Sequence, residues 1–431
     1  MSSQDSSAGP GTALRLKSIV GGSLGNLVEW YDWYAYAAFS LYFAPIFFPK
    51  GNPTAQLLST AAIFGVGFLM RPIGAWIMGI YCDRHGRKAG LTLSVLMMGG
   101  GSLLIGLTPG HATIGLASPA LLLIARLLQG LSIGGEYGAS ATYLSEMATR
   151  DRRGFYSSFQ YVTLVGGQLV ALAVQLVLQM MLSEAAMEQW GWRIPFFVGA
   201  VLAVSVFLIR RGLAETQDFT TRARSKTSSA FALFHEHPGT AFLVVALTAG
   251  GTLAFYAYTT YMQKYLVNSA GYDRETAARI MTVALFLYML LQPAIGALSD
   301  RIGRRPLLIA FGIGATLFTV PLFTLIGQGG SPIRAFALVL AGLIIVSGYT
   351  AINAIVKAEM FPAHIRALGV ALPYAIANAL FGGSAEYVAL KLKSGGQESL
   401  FFWYVSGMAA LSLVAYMVMR DTRAHGSMNE A

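Results

Sequence analysis

"GIYCDRHGRK" at 79–88 and "GALSDRIGRR" at 296–305 share one pattern, G-x-x-x-D-R-x-G-R followed by a lysine or an arginine. They lie about half a chain length apart, each between two long apolar runs. A second pair keeps the same offset: "EMATRDRRG" at 146–154 and "EMFPAHIRA" at 359–367. Self-similarity at a fixed period marks a repeated structural unit. Working outward from these repeats, apolar runs fall at 18–47, 57–81, 89–108, 119–147, 154–182, 193–212, 240–267, 276–298, 306–327, 333–358, 366–391 and 400–419. Each is long enough to cross a hydrocarbon core of about 30 Å as a helix. Helices satisfy their own backbone hydrogen bonds in lipid over such lengths. The reading is an all-α polytopic membrane protein, with twelve transmembrane helices in two six-helix, pseudo-symmetric bundles. Residues 1–212 form the first bundle, 213–239 a polar linker and 240–431 the second. Two parallel repeats about a central axis imply a binding site between the halves, near the midplane.

Composition agrees with a membrane protein. The chain of 431 residues is 55% hydrophobic and 12% charged, where a soluble domain carries about a quarter charged residues. The formal net charge of +10 would suit nucleic acid, but the distribution of the cations has a simpler cause. About twenty of the 30 lysines and arginines fall in the tails and the even-numbered loops, and about eight in the opposite loops. The positive-inside rule then sets both termini in the cytoplasm and leaves no reason to expect a nucleic-acid partner. Cys82 is the single cysteine, so neither a disulfide framework nor a thiolate metal site is expected. Residues 1–13 are polar, with no apolar core before a cleavage site, so no removable leader is expected.

The first span contains "GNLVEWYDWYAYA" at 25–37, with Glu29 and Asp32 one turn apart on one helix face. A charge at bilayer depth costs at least several kcal/mol, so such residues are kept for a reason. Asp32 lies ~22 Å along the helix from Lys17, near mid-bilayer. Two neighbouring carboxylates do not both carry charge cheaply in low dielectric, and such a pair can load a proton on one side and release it on the other. The alternative is that arginines hold both for packing. In the fourth span, "RLLQGLSIGGEYGASATYLSEM" at 126–147, Gly130, Gly134 and Gly138 form a small-residue stripe that lets a neighbouring helix approach. Arg126 begins that stripe and needs a carboxylate or water; it either closes a structural ion pair or tunes a proton-carrying acid. In the second span, "FLMRPIGAW" at 68–76, Arg71 lies ~18 Å above Asp83, also near mid-depth. Its planar fork suits a carboxylate, either on a substrate or on Glu29 or Asp32. Pro72 beside it can bend the helix.

Neutral donors could line the same cavity: Gln160, Tyr161 and Gln168 on the fifth span, Tyr256 on the seventh, Tyr374 and Asn378 on the eleventh. Any one of them could equally be an interhelical hydrogen bond. Asp83 and Arg87 in the first loop motif, Asp300 and Arg304 in its repeat, Glu136, Lys357 and Glu359 are expected gate residues near the cytoplasmic side. Lys264 and Glu386 fall nearer the outer ends and read weakly as mouth residues. "GGSLG" at 21–25 matches the G-x-S-x-G elbow of hydrolases, but that motif needs a strand, a turn and a helix and here sits inside a membrane span. No phosphate loop and no His/Cys cluster is present, so no cofactor, no metal and no enzymatic chemistry is expected.

The loop motif in two equivalent positions, with "GNLVEWYDWYAY", "FLMRPIGAW", "RLLQGLSIGGEYG" and "WGWRIPF" (190–196), resembles the metabolite:proton symporter branch of the major facilitator superfamily over all twelve spans. "TTYMQKYLVNSAG" (259–271), "KAEMFPAHIRALGV" (357–370) and "FGGSAEYVALKLKS" (381–394) are similar to members that carry 2-oxoglutarate. The resemblance implies a proton-coupled symporter importing 2-oxoglutarate or a related dicarboxylate by alternating access. Another solute of the same branch stays open: citrate or tricarballylate, a shikimate-type acid, or a zwitterionic osmolyte. It also implies Asp32, then Glu29, with Arg126, as the proton-coupling group; the mid-depth fork of Arg71 makes it the leading substrate ligand, with Arg126 a second cation that favours the anion. The expected setting is a bacterial inner membrane, with a functional monomer meeting the lipid bilayer, protons and a small carboxylate.

Overall fold

The computed structural model describes residues 12–85, 87–134, 145, 148–211, 230–362 and 365–429. Among them there is no strand. The long helices are α1 (Thr12–Phe47), α2 (Pro53–His85), α3 (Arg87–Leu107), α4 (Ala117–Gly134), α5 (Arg153–Met181), α6 (Ile194–Arg211), α7 (Pro238–Asn268), α8 (Arg274–Ile302), α9 (Arg305–Gly327), α10 (Pro332–Glu359), α11 (Arg366–Ser394) and α12 (Ser399–Val418). Each coincides with a run read from hydropathy, because the hydrocarbon core sets the helix length. The predicted second half of α4, with Glu136 and Gly138, lies outside the described residues, as does most of the linker. α2 runs on through Pro72 as one helix.

The helices begin and end where local chemistry requires. Asp273 caps α8 by accepting from the Thr276 backbone N–H at 2.8 Å. Gly303, at φ 97°, ends α8 in a backbone region that side chains rarely adopt. α7 and α11 each carry a π-helical turn, at Ala257–Tyr261 and Asn378–Gly382. Such turns add a residue to the helical repeat and often mark functional positions.

Polarity is inverted relative to a soluble protein. Phe242, Ile333 and Val418 are each at least 75% exposed on the outer surface, while Asp32, Arg126, Lys264, Lys357 and Glu386 are buried. Lipid covers the former and neighbouring helices the latter. Small residues set the close helix contacts. A methyl on Gly130 would overlap the Gly67 carbonyl, and one on Gly134 the Arg71 carbonyl, so the α4 stripe admits α2. A methyl on Gly296 would crowd the Gly154 carbonyl and Ser158, which brings α8 against α5 and joins the halves at the end where Thr422 and Met428 lie. Toward the other end, Gly65 of α2 meets Gly383 of α11.

Candidate functional site

The site grows from one ring, Trp33 of α1. It is buried, and Gly67 opposite leaves the space that its six-membered ring fills. Two guanidinium groups lie over this indole: Arg71 of α2 at 4.4 Å and Arg126 of α4 at 3.7 Å from the ring centroid. Arg71 also stacks on Phe68 at 3.9 Å and Trp30 at 5.3 Å. Arg126 also stacks on Tyr36 at 4.4 Å and Phe64 at 5.3 Å. Each stack contributes about 2 kcal/mol where water is excluded. That orients the cations but does not satisfy their N–H groups. Among the described residues no acceptor reaches Nε or Nη2 of either arginine. No carboxylate among the described residues makes an ion pair with either one. Two buried like charges with idle donors are an anion-binding arrangement, and their forks match carboxylates.

Across the seam the second half supplies neutral donors. Phe68 packs edge-on against Tyr256 of α7 at 5.2 Å. Tyr256 lies on Gly382, beside Asn378 of α11 and in electrostatic contact with Arg71 and Tyr374. Thr252 donates to Asn378 at 2.6 Å. Lys357 of α10, fully buried, stacks on Tyr374 at 3.8 Å. Five of the sequence-expected binding residues therefore converge: Arg71, Arg126, Tyr256, Tyr374 and Asn378. Lys357, read as a gate from the sequence, joins them.

The expected carboxylate partner of Arg126 on α1 is reached only indirectly. Asp32 accepts from Ser102 of α3 at 2.6 Å. Ser102 accepts from Gln129 Nε2 at 2.9 Å, and Gln129 Oε1 accepts from Arg126 Nη1 at 2.7 Å. Ser102 and Gln129 were not singled out from the sequence; the i, i+3 spacing of Arg126 and Gln129 was the one available signal. The other Asp32 oxygen, Oδ1, has no hydrogen-bond partner among the described residues, and Gly199 of α6 leaves room for it. Glu29 lies on the same side, in the lining of a small cavity with Gly25, Ser94, Met98 and Ser132. Both acids thus face the interior of the first half rather than the seam.

The remaining expected donors divide. Gln160 is committed to Asn26 of α1, whose Nδ2 also donates to Thr163 at 2.7 Å. Tyr161 meets Phe255 across the seam at 5.5 Å. Seven residues on is Gln168, buried with a free Oε1; seven further, Gln175 accepts from Gln263 at 3.0 Å. Tyr161, Gln168 and Gln175 thus form one stripe of α5 that faces α7.

A family model described as sugar (and other) transporter matches residues 19–239 and 213–426. The chain belongs to this transporter family, within the major facilitator superfamily. Its relatives include the alpha-ketoglutarate permease of Escherichia coli K12, 58% identical over 95% of both chains. A citrate-proton symporter of Salmonella typhi is 36% identical over 93% of both. The proton:xylose symporter XylE superposes with a TM-score of 0.79, covering 95% of this chain and 97% of its own at 15% identity, a likeness of fold.

In this transporter the repeat of the loop motif forms a charged clasp. Asp300 of α8 accepts from the backbone N–H groups of Gly154 and Phe155 at 2.8 and 2.9 Å, capping the first turn of α5 from the opposite half. Arg304 holds Asp300 at 2.8 Å and Glu359 of α10 at 3.3 Å. Thr422 donates to Glu359 at 2.6 Å, and Arg153 donates to the Met428 carbonyl at 3.1 Å, so the C-terminal segment adds to the clasp. The side chains of Asp83 and Arg87, the first copy, lie outside the described set, as does Glu136. At the other end Arg274 bridges Glu184 and Glu188 at 2.7 Å.

Proposed function

We propose that this protein is a proton-coupled symporter that imports 2-oxoglutarate or a related dicarboxylate across a bacterial inner membrane, with both termini cytoplasmic. The observation that carries the reading is the pair of buried guanidinium groups on Trp33, which have idle N–H donors and no carboxylate partner among the described residues. One buried cation suits a monoanion. Two, sharing one ring, with Arg71 in electrostatic contact with Tyr256 of the other half, suit a short dianion. A permease of the same substrate class at 58% identity supports this.

Energetics require protons. A dianion entering a negative-inside cell is opposed by about 2.3 kcal/mol per charge per 100 mV. Two co-transported protons cancel that charge, and a third lets the potential drive uptake. The coupling route is Asp32, Ser102, Gln129 and Arg126. When a substrate carboxylate takes over the donors of Arg126, the cation exerts less pull on Asp32 through Gln129 and Ser102, and Asp32 holds its proton. When substrate leaves, Arg126 again favours the carboxylate and the proton departs. Glu29, one turn away, extends the route. The halves on either side of 213–239 rock about the site, and the Asp300 clasp opens and closes the cytoplasmic end.

The test is uptake of labelled 2-oxoglutarate into proteoliposomes against unlabelled acids, at two pH values and with an uncoupler. Dicarboxylates are expected to compete best, and the uncoupler to abolish accumulation. No saturable uptake of labelled 2-oxoglutarate, with saturable uptake of labelled citrate or betaine under the same gradient, would assign another solute of the family.

A further inference from the structure

Beyond the arginine site, α7 and α11 hold a second buried charged group. Lys264 Nζ lies 2.5 Å from Glu386 Oε1, and the two residues are 2% and 3% exposed. The pair stands eight residues beyond Tyr256 and eight beyond Asn378, roughly 12 Å along each helix and away from the termini. On each helix a π turn lies before the charge: Ala257–Tyr261 follows Tyr256 on α7, and Asn378–Gly382 begins at Asn378 on α11. The two helices thus carry the same plan: a neutral donor, a wide turn, then a charge.

Two features distinguish this pair from a packing bridge. Glu386 Oε2 is buried and accepts no hydrogen bond from any described residue, whereas a bridge kept for stability has its remaining lone pairs satisfied. The pair also borders the seam. Tyr34 of α1, from the opposite half, donates to the carbonyl of Thr259 within the α7 π turn at 3.5 Å. Lys264 is the charged group facing Glu386. The ionisable hydroxyls within electrostatic reach are Tyr34 and Tyr36 of α1 and Tyr261 of α7. Tyr261 is itself committed to Glu398 at 2.8 Å.

We infer that Lys264 and Glu386 form a second anion- and proton-binding station on the outer side of the arginine site. An incoming substrate carboxylate takes Lys264 from Glu386. The released carboxylate then faces a buried site without a counter-charge, and it takes a proton from the outer aqueous phase, forming an O–H bond at an oxygen of Glu386. The proton offsets one of the two negative charges that a dicarboxylate brings, and the arginine site beyond offers cations for the other. When the substrate moves on, Lys264 recovers Glu386 and the proton is released. The inference rests on the carboxylate-symport reading and adds a second proton carrier to Asp32.

The experiment is the proton-to-substrate ratio, from reversal potentials of labelled 2-oxoglutarate flux in proteoliposomes. Wild type is compared with Glu386→Gln and with the charge-neutral double variant Lys264→Gln/Glu386→Gln. Glu386→Gln is expected to transport with one proton fewer per substrate. Should that variant fail to fold, the double variant, which leaves no unpaired cation, is expected to show the same loss. A wild-type ratio in either variant overturns the inference and leaves a structural bridge. A wild type that moves 2-oxoglutarate without protons refutes the symport reading itself, which separates the two failures.

Discussion

At the scale of single residues, burial and hydrogen bonding decide which cation awaits a ligand. Arg304 is surrounded by Asp300, Ser299 and Glu359 and has a structural duty. Arg71 has aromatic rings and no acceptor at Nε or Nη2. Arg71→Ala is therefore expected to weaken substrate binding by about 2 kcal/mol, roughly thirty-fold, and to lower the melting temperature as its ring stacks are lost. Unchanged affinity by titration would move that role to Arg126. Asp32→Asn is expected to abolish gradient-driven accumulation and to preserve exchange of preloaded substrate; persistence of accumulation would exclude Asp32 as the coupling acid. Gly199→Ala tests the same acid from behind. Its methyl would overlap Asp32 Oδ1, so accumulation is expected to fall although residue 199 bears no ionisable group. The midplane charges were legible in the sequence because any charge there is expensive. Ser102 and Gln129 were not, since the link from Asp32 to Ser102 spans 70 positions and neither residue type is unusual in a helix.

At the scale of elements, the seam between α5 and α8 depends on glycine. Gly296→Leu is expected to force the helices apart near Gly154, so that a thiol placed at Ser158 in a Cys82→Ser background reacts faster with a water-soluble maleimide. An unaltered rate would show that the clasp, not the glycine contact, keeps this end closed. Deleting residues 421–431 removes the Thr422 hydrogen bond to Glu359 and the Arg153 bond to Met428. The expected outcome is faster labelling at the same position, with uptake retained. Helix positions were readable because hydropathy reports lipid thickness. The π turns were not, because they arise from packing and have no periodic signature. The close pairing of Lys264 with Glu386 likewise depends on folding two distant helices together.

At the scale of the whole molecule, the repeats anticipated a site between two halves, and the seam does collect Arg71, Tyr256, Tyr374 and Asn378. The acids differ: Asp32 and Glu29 face into the first half, so the proposed coupling links a seam site to an interior site rather than operating within one cavity. Protons and anion can then bind in either order, and substrate affinity is expected to rise as the outer pH falls from 8 to 6, provided Asp32 is present. A pH-independent half-saturating concentration in wild type would break that linkage.

The central claim is that protons accompany the anion. Purified protein in sealed proteoliposomes, with a pH indicator outside and labelled 2-oxoglutarate added, measures this directly. The account predicts external alkalinisation that follows uptake and disappears in Asp32→Asn. Uptake without any change in external pH would contradict it.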